Sequence, residues 1–285
     1  MTVSFRDVRY IRVPVADLDM AGSYASDILG LKLEDRSETA LYFRSDARNY
    51  ALCYSTADGA GVALTVAHRA DLDAMAERLA AAGFAPDTLT DDACRTRQIK
   101  AGIVAMAPNG VAVEIVWRPM TSGWPFHGTR LTGITGFQAV QLACTDIEAN
   151  ESFWTDGIGA EVSDWAGQAV FLRIDDSHHR IALYPSPRDG LLGATWGVAE
   201  TNDVMRNWYF LQARQQPIAH GPGRQPTSGA AFVTAKGPGD MLYSYATPMD
   251  AAPANGPRQF PDEALSHCAW GSPTEQPEFK GGQDR

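Results

Sequence analysis

Histidine is the side chain that changes charge near neutral pH. This chain of 285 residues holds 6 of them, and two are adjacent, His178 and His179. The pair falls in a predicted strand, where successive side chains point to opposite faces, so only one of the rings can enter a cavity. Proton transfer is the chemistry such a ring supplies. His220 stands in the loop-forming run Ala219-His220-Gly221-Pro222-Gly223 and is a candidate contact to a small molecule. Tyr243 and Tyr245 flank Ser244; alternation sends both phenols to one face and the serine to the other. Trp196 offers bulk to a core or a flat surface to a planar ligand. Asp175-Asp176 has the composition of a metal pair but reads as the turn before His178. The 4 cysteines (Cys53, Cys94, Cys144, Cys268) have no C-x-x-C spacing. They read as reduced thiols of a cytoplasmic protein rather than a zinc cluster or disulfide framework.

These groups sit on a chain that repeats itself. From Asp17 to Asp146 is 129 residues, and at that offset Tyr24 falls on Phe153, Asp27 on Asp156, Gly30 on Gly159 and Asp35 on Asp164. Ala40, Tyr42, Arg44 and Asp46 likewise fall on Ala169, Phe171, Arg173 and Asp175. After a one-residue insertion, Pro108-Asn109-Gly110 falls on Pro238-Gly239-Asp240. Register kept over so many positions means tandem modules. In the first, short apolar runs predict strands at 10–15, 31–34, 40–43 and 51–54, with a helix over 20–28 that Asp17 starts and Gly30 ends. The pattern restarts with a strand at 62–66, a helix over 72–82 capped by Asp71, and strands at 99–106 and 111–117.

Each half is therefore two βαβββ units, and the fold class is α+β. The expected boundaries are a first module over 1–120, a linker over 121–135, a second module over 136–250 and an irregularly packed tail over 251–285. The run Trp208-Tyr209-Phe210-Leu211 is apolar on every side of a predicted helix. Either the tail buries it or it is an interface in a homo-oligomer. A formal charge of −10 without a Lys/Arg cluster argues against nucleic acid and anionic membranes as partners. No basic-then-apolar leader and no apolar run of bilayer length is seen.

Paired βαβββ units with Asp–helix–Gly punctuation resemble the vicinal oxygen chelate superfamily of glyoxalases, bleomycin-resistance proteins and extradiol dioxygenases. The nearer resemblance is to the two-domain, 2,3-dihydroxybiphenyl-type extradiol dioxygenases. It rests on Leu41-Tyr42-Phe43-Arg44 with Asp46, Pro108-Asn109-Gly110 before Val113-Glu114-Ile115, and Pro125-Phe126 before Gly136. His178-His179-x-Ile181-Ala182-Leu183 and Cys268-Ala269-Trp270-Gly271 complete the set. The resemblance implies that the second module forms a funnel around Fe(II), or sometimes Mn(II), held by two histidines and a glutamate.

The residues at those places do not match the family. The first histidine position falls on Ala139, or Gln138 in the neighbouring register; the second falls on Gly193 or Ala194; the glutamate falls on Ser244. A family tyrosine falls on Phe232 or Val233, and a family histidine on Gln225. Glu114 is the single intact ligand-type residue, and its module-one companions fall on Tyr10 and about Gly61. No metal and no other cofactor is expected.

The resemblance makes His179 the acid/base residue of the funnel; Ala139, Trp196, His220, Phe232 and Ser244 are the expected substrate-binding residues. The leading expectation is a metal-independent enzyme of isomerase, lyase, hydratase or cyclase type acting on a small aromatic or polycyclic molecule. The alternatives are a non-catalytic binding or resistance protein, and an iron-dependent ring-cleavage dioxygenase with unusual ligands.

Overall fold

The computed structural model describes residues 3–282. The first module opens with β1 (Phe5–Pro14), α1 (Leu18–Ser23), β2 (Lys32–Arg36), β3 (Ala40–Arg44) and β4 (Leu52–Ser55). It continues with β5 (Gly61–Val66), α2 (Ala70–Ala81), β6 (Asp87–Thr88), α3 (Asp91–Thr96), β7 (Ala101–Met106) and β8 (Ala112–Trp117). The second comprises β9 (Ile134–Cys144), α4 (Ile147–Ser152), β10 (Glu161–Ala166), β11 (Ala169–Arg173) and β12 (Ile181–Pro185). After these come β13 (Gly190–Val198), α5 (Thr201–Ala213), β14 (Ile218–Arg224), β15 (Ala231–Gly237) and β16 (Met241–Ala246). The tail adds β17 (Arg258–Phe260) and β18 (Trp270–Gly271).

The eight-stranded sheet runs β2-β3-β4-β1-β5-β8-β7-β6, and the ten-stranded sheet runs β17-β10-β11-β12-β9-β13-β16-β15-β14-β18. Apart from the two tail strands the orders are identical. In each module the opening strands of the two units meet antiparallel (β1 with β5, β9 with β13), and the last strand pairs parallel (β5 with β8, β13 with β16). Central strands are buried on both faces, one against helices and one inside the curl of the sheet. Their continuous apolar runs follow from that. The edge strand β2 is exposed and charged, which discourages pairing with other chains.

Helix starts repeat as well. Asp17 accepts the Met20 N–H and Asp146 the Ala149 N–H. Both first helices loosen into a π-turn, at Tyr24–Ile28 and Phe153–Ile158, and Gly30 and Gly159 then take positive φ. Asp71 does not cap α2; its carboxylate accepts the His68 N–H one turn earlier. The modules grip each other through α2 on the second π-turn, where Phe84 meets Phe153 at 4.8 Å and Arg78 donates to the Thr155 and Asp156 carbonyls.

Two expectations change. The apolar run on α5 is partly covered by the linker, not the tail: Arg130 lies 4.0 Å over the Phe210 ring and bonds Asn207, while Tyr209 stays exposed. The tail is more ordered than its composition suggests, because β17 and β18 close the two edges of the ten-stranded sheet. Residues 283–285 lie outside the described residues.

Candidate active site

Matched strands of the two modules put matched residues side by side. In the first, Tyr10, Ala63 and Glu114 are neighbours across β1, β5 and β8. In the second, Ala139, Thr195 and Ser244 are neighbours across β9, β13 and β16. The second position is therefore Thr195, two residues past Gly193. Ala194, the other sequence assignment, is in the core on the opposite face. Likewise Ala63, not Gly61, is its counterpart in the first module.

Gln141, Thr195, Thr234 and Ser244 line a cavity of about 40 Å³ together with His179, Tyr184, His220 and Phe232. The tail contributes His267 and Phe279 to its wall. His220 stacks on Phe279 at 5.1 Å and meets Phe232 edge-on at 4.8 Å, and Tyr184 meets Phe279 edge-on at 5.0 Å. The walls are thus flat rings, and the floor is hydroxyls and an amide. Ser244 and Thr234 bond each other at 2.8 Å, while the buried Oε1 of Gln141 has no partner among the described residues.

The iron site expected from the resemblance does not fit this floor. A 2-His-1-carboxylate site needs imidazole and carboxylate donors, and the matched positions supply a methyl group and two hydroxyls. Among the described residues no group of three or more His, Cys, Asp or Glu could hold a metal ion.

What the cavity has instead is a chain of proton-bearing groups. His178 and His179 lie in the bend before β12 rather than within a strand, so alternation does not separate them. Their Nδ1 atoms are 2.9 Å apart, and His178 Nε2 is 2.6 Å from Asp164 Oδ2. Asp164 is fully buried and takes three bonds from Arg258 of the tail, from the backbone N–H, Nε and Nη2.

These contacts fix the tautomers. A carboxylate only accepts, so His178 donates through Nε2 and a neutral His178 must accept at Nδ1. His179 then donates through Nδ1, which leaves its Nε2 lone pair free. Burial, aided by His178 and Arg180, holds the His179 pKa well below its ordinary value, so the ring is neutral at pH 7. Burial also lowers His178, against the opposing pull of Asp164. His220 is pushed down to about 4 by burial and by the neighbouring His267.

Of the sequence-predicted residues, His179, His220, Phe232 and Ser244 face the cavity together. Ala139 is buried beside Thr195 on the same strand face as Gln141 but leaves the lining to that longer side chain. Trp196 is a correction. It is fully buried in the main core, stacked on Tyr243 at 5.9 Å, because alternation along β13 turns it away when Thr195 faces in.

Sequence reasoning missed Gln141, Thr195, Asp164 and Arg258. Gln141 and Thr195 could have been found by alternation once Trp196 was given to the core. Asp164 was visible as the repeat partner of Asp35, but Asp35 is exposed, so repetition carried no hint of a buried role. No local pattern connects Arg258 to it across 94 residues.

Residues 136–243 match the Glyoxalase/Bleomycin resistance protein/Dioxygenase superfamily. The chain is 23% identical over 273 residues to a biphenyl-2,3-diol 1,2-dioxygenase of Sphingomonas paucimobilis, covering 88% of this chain and 91% of that protein. It is 28% identical over 204 residues to a 3-methylcatechol 2,3-dioxygenase of Pseudomonas putida, covering 65% and 70%. The fold is that of BphC, a halotolerant catechol dioxygenase, with a TM-score of 0.86, 17% identity and 97% of each chain covered. It also matches a Mn(II)-bound glyoxalase from Novosphingobium aromaticivorans, with a TM-score of 0.84, 21% identity and 100% of each chain covered. The chain thus has an extradiol dioxygenase-like fold, and its second module is similar to the Glyoxalase/Bleomycin resistance protein/Dioxygenase superfamily.

Proposed function

We propose that the chain is a metal-independent enzyme that uses His179 as general base, and then as general acid, on a flat, largely apolar small molecule. The reaction class is non-oxidative: isomerisation, elimination, hydration or cyclisation. The observation that carries this reading is the His179–His178–Asp164 chain, which ends at a cavity whose metal-facing positions hold uncharged side chains.

A proton taken at His179 Nε2 need not leave a charge there. The Nδ1 proton of His179 can pass to His178, where the cation is paired with Asp164. Returning the same proton to another atom of the ligand completes an isomerisation without a co-reactant. Gln141, Thr195 and Ser244 orient polar atoms of the ligand, and Tyr184, Phe232 and Phe279 clamp its ring faces and exclude water. Ligand pockets are typically several hundred Å³, so entry requires Phe279 and His267 of the tail to move. The biphenyl-2,3-diol and 3-methylcatechol of the relatives' names suggest the size and flatness of the substrate.

The test is turnover of an aromatic panel, including these diols, by purified chain in EDTA. Activity that survives EDTA and falls about 10²–10⁴-fold in His179→Gln supports the reading. Activity that needs added Fe(II), or that is equal in His179→Gln, overturns it. The uncharged lining also suits a sequestering protein, for which a ligand recovered unchanged after long incubation is the expected result.

A further inference from the structure

Arg9 of β1 is 5% exposed and forms no direct ion pair among the described residues; it donates to the Met120 carbonyl, and the carboxylates of Asp7 and Asp46 act on it only from beyond contact distance. That carbonyl also accepts the Asn49 N–H, at 3.3 Å, so it does not depend on Arg9. A buried guanidinium whose nearest carboxylates are not in direct contact with it is incompletely compensated, and an arriving anion can pair with it. Arg9 lines a cleft of about 590 Å³ between the modules, which shares Met249 with the inner cavity but otherwise lies outside it. This is the size range of small-molecule sites.

The other charges around the cleft are already committed. Arg48 holds Asp7 at 3.2 Å and also pairs with Asp46, and Asp46 further accepts the Phe137 N–H across the module boundary. Arg180 is paired with Asp175 at 2.7 Å and with the Gln138 carbonyl at 3.0 Å. Two buried acceptors on the same walls have no donor among the described residues, Oε1 of Gln138 and Oδ1 of Asp7. Gln138 is 8% exposed, and its Nε2 is occupied by the Thr247 carbonyl. The cleft therefore has a guanidinium without a direct ion pair beside unused acceptors, and a bare anion would satisfy only the first.

We propose that this cleft is a second binding site, for a small hydroxycarboxylate whose carboxylate pairs with Arg9 and whose hydroxyl donates to Gln138 or Asp7. Phe137, Pro248 and Met249 supply an apolar wall for the rest of the molecule. The site involves none of the cavity groups assigned to proton transfer.

Mandelate and phenylacetate, which differ by the one hydroxyl, are the probes, titrated calorimetrically into the full chain. Mandelate is expected to bind one per chain and several-fold more tightly than phenylacetate, with affinity falling as salt rises. Arg9→Met should weaken mandelate at least about 10-fold, the usual scale for losing a charge-assisted bond. Because a buried change can disturb folding, Ala47→Trp is the second variant; Ala47 is an exposed rim residue, and the indole should block the cleft. His179→Gln should leave mandelate binding unchanged, so failure of the cavity chemistry and failure of this site are separate results. Absence of mandelate binding, equal binding of phenylacetate, or full affinity in folded Arg9→Met or Ala47→Trp overturns the proposal.

Discussion

In the first module the pocket between β1, β5 and β8 is filled by its own charges. Glu114 is fully buried and is held by Tyr10, by Arg12 at 3.0 Å and by Arg97 at 2.8 Å. About 10 Å³ of space remains. In the second module the same places are Ala139 for Tyr10, Gln141 for Arg12, Thr195 for Ala63 and Ser244 for Glu114. No ion pair forms among these four, and a cavity lined by neutral groups is left. Gly61 and Gly193 match as well, and in both cases the missing Cβ leaves room for the side chain opposite, Arg12 or Gln141. One architecture thus yields a plugged pocket and an open one, and the difference lies in a handful of side chains rather than in the backbone.

The largest effect should come from unplugging the first pocket. Glu114→Ala leaves buried Arg12 and half-buried Arg97 without their shared carboxylate, and breaking a buried pair in this way costs about 3–5 kcal/mol. Ser244→Ala at the matched position loses one neutral bond to Thr234 and should cost about 1 kcal/mol. Denaturant unfolding of the two variants measures both. Equal costs would mean that the two pockets are not energetically different, and the comparison would fail.

Acid should separate the modules next. The depressed folded pKa values of His179, His178 and His220 mean that the unfolded chain binds protons more readily there. Their contribution is full above about 6.5 and is lost as pH falls through the folded values, about 4 for His220. For Glu114, burial alone would raise the pKa, but Arg12, Arg97 and Tyr10 hold it below its ordinary value. That contribution is kept above about 4.5 and lost only below it. Between pH 6.5 and 5, amide exchange should therefore quicken in β9–β16 before it quickens in β1–β8. A uniform change across both sheets would contradict this.

Much of the scaffold was legible in the sequence because it is written twice. Asp17 and Asp146, Gly30 and Gly159, and the two Pro-containing turns fixed the register of the modules, and the identical strand orders follow from it. The site was legible only where one position decides it. Ser244 could be placed by alternation with its tyrosine neighbours, and His179 by its motif. Trp196 was assigned to the cavity although the phase of β13 depends on its pairing with β9 and β16, which no local pattern carries. Only one ring of the His178–His179 pair lines the cavity, as expected, but the reason differs, because the pair lies in a bend and the rings touch. Asp164 and Arg258 meet through tertiary packing of the tail, and composition described that tail only as polar and irregular.

The smallest change in stability, and the sharpest in function, is expected at Gln141. Its counterpart Arg12 is committed to Glu114, so nothing in the first pocket waits for a ligand. Gln141 instead keeps a buried carbonyl oxygen without a donor among the described residues, which costs stability and is rarely retained without a use. Gln141→Leu removes the orphaned acceptor at similar volume, so the folded state should change by no more than about 1 kcal/mol, and upward if at all. A cavity ligand that donates to this oxygen should bind about 10-fold more weakly to the same variant. Melting and ligand titration of one protein read both. A large loss of stability would make Gln141 part of the framework like Arg12, whereas a stable variant with weakened binding marks it as the residue that keeps the second pocket open for use.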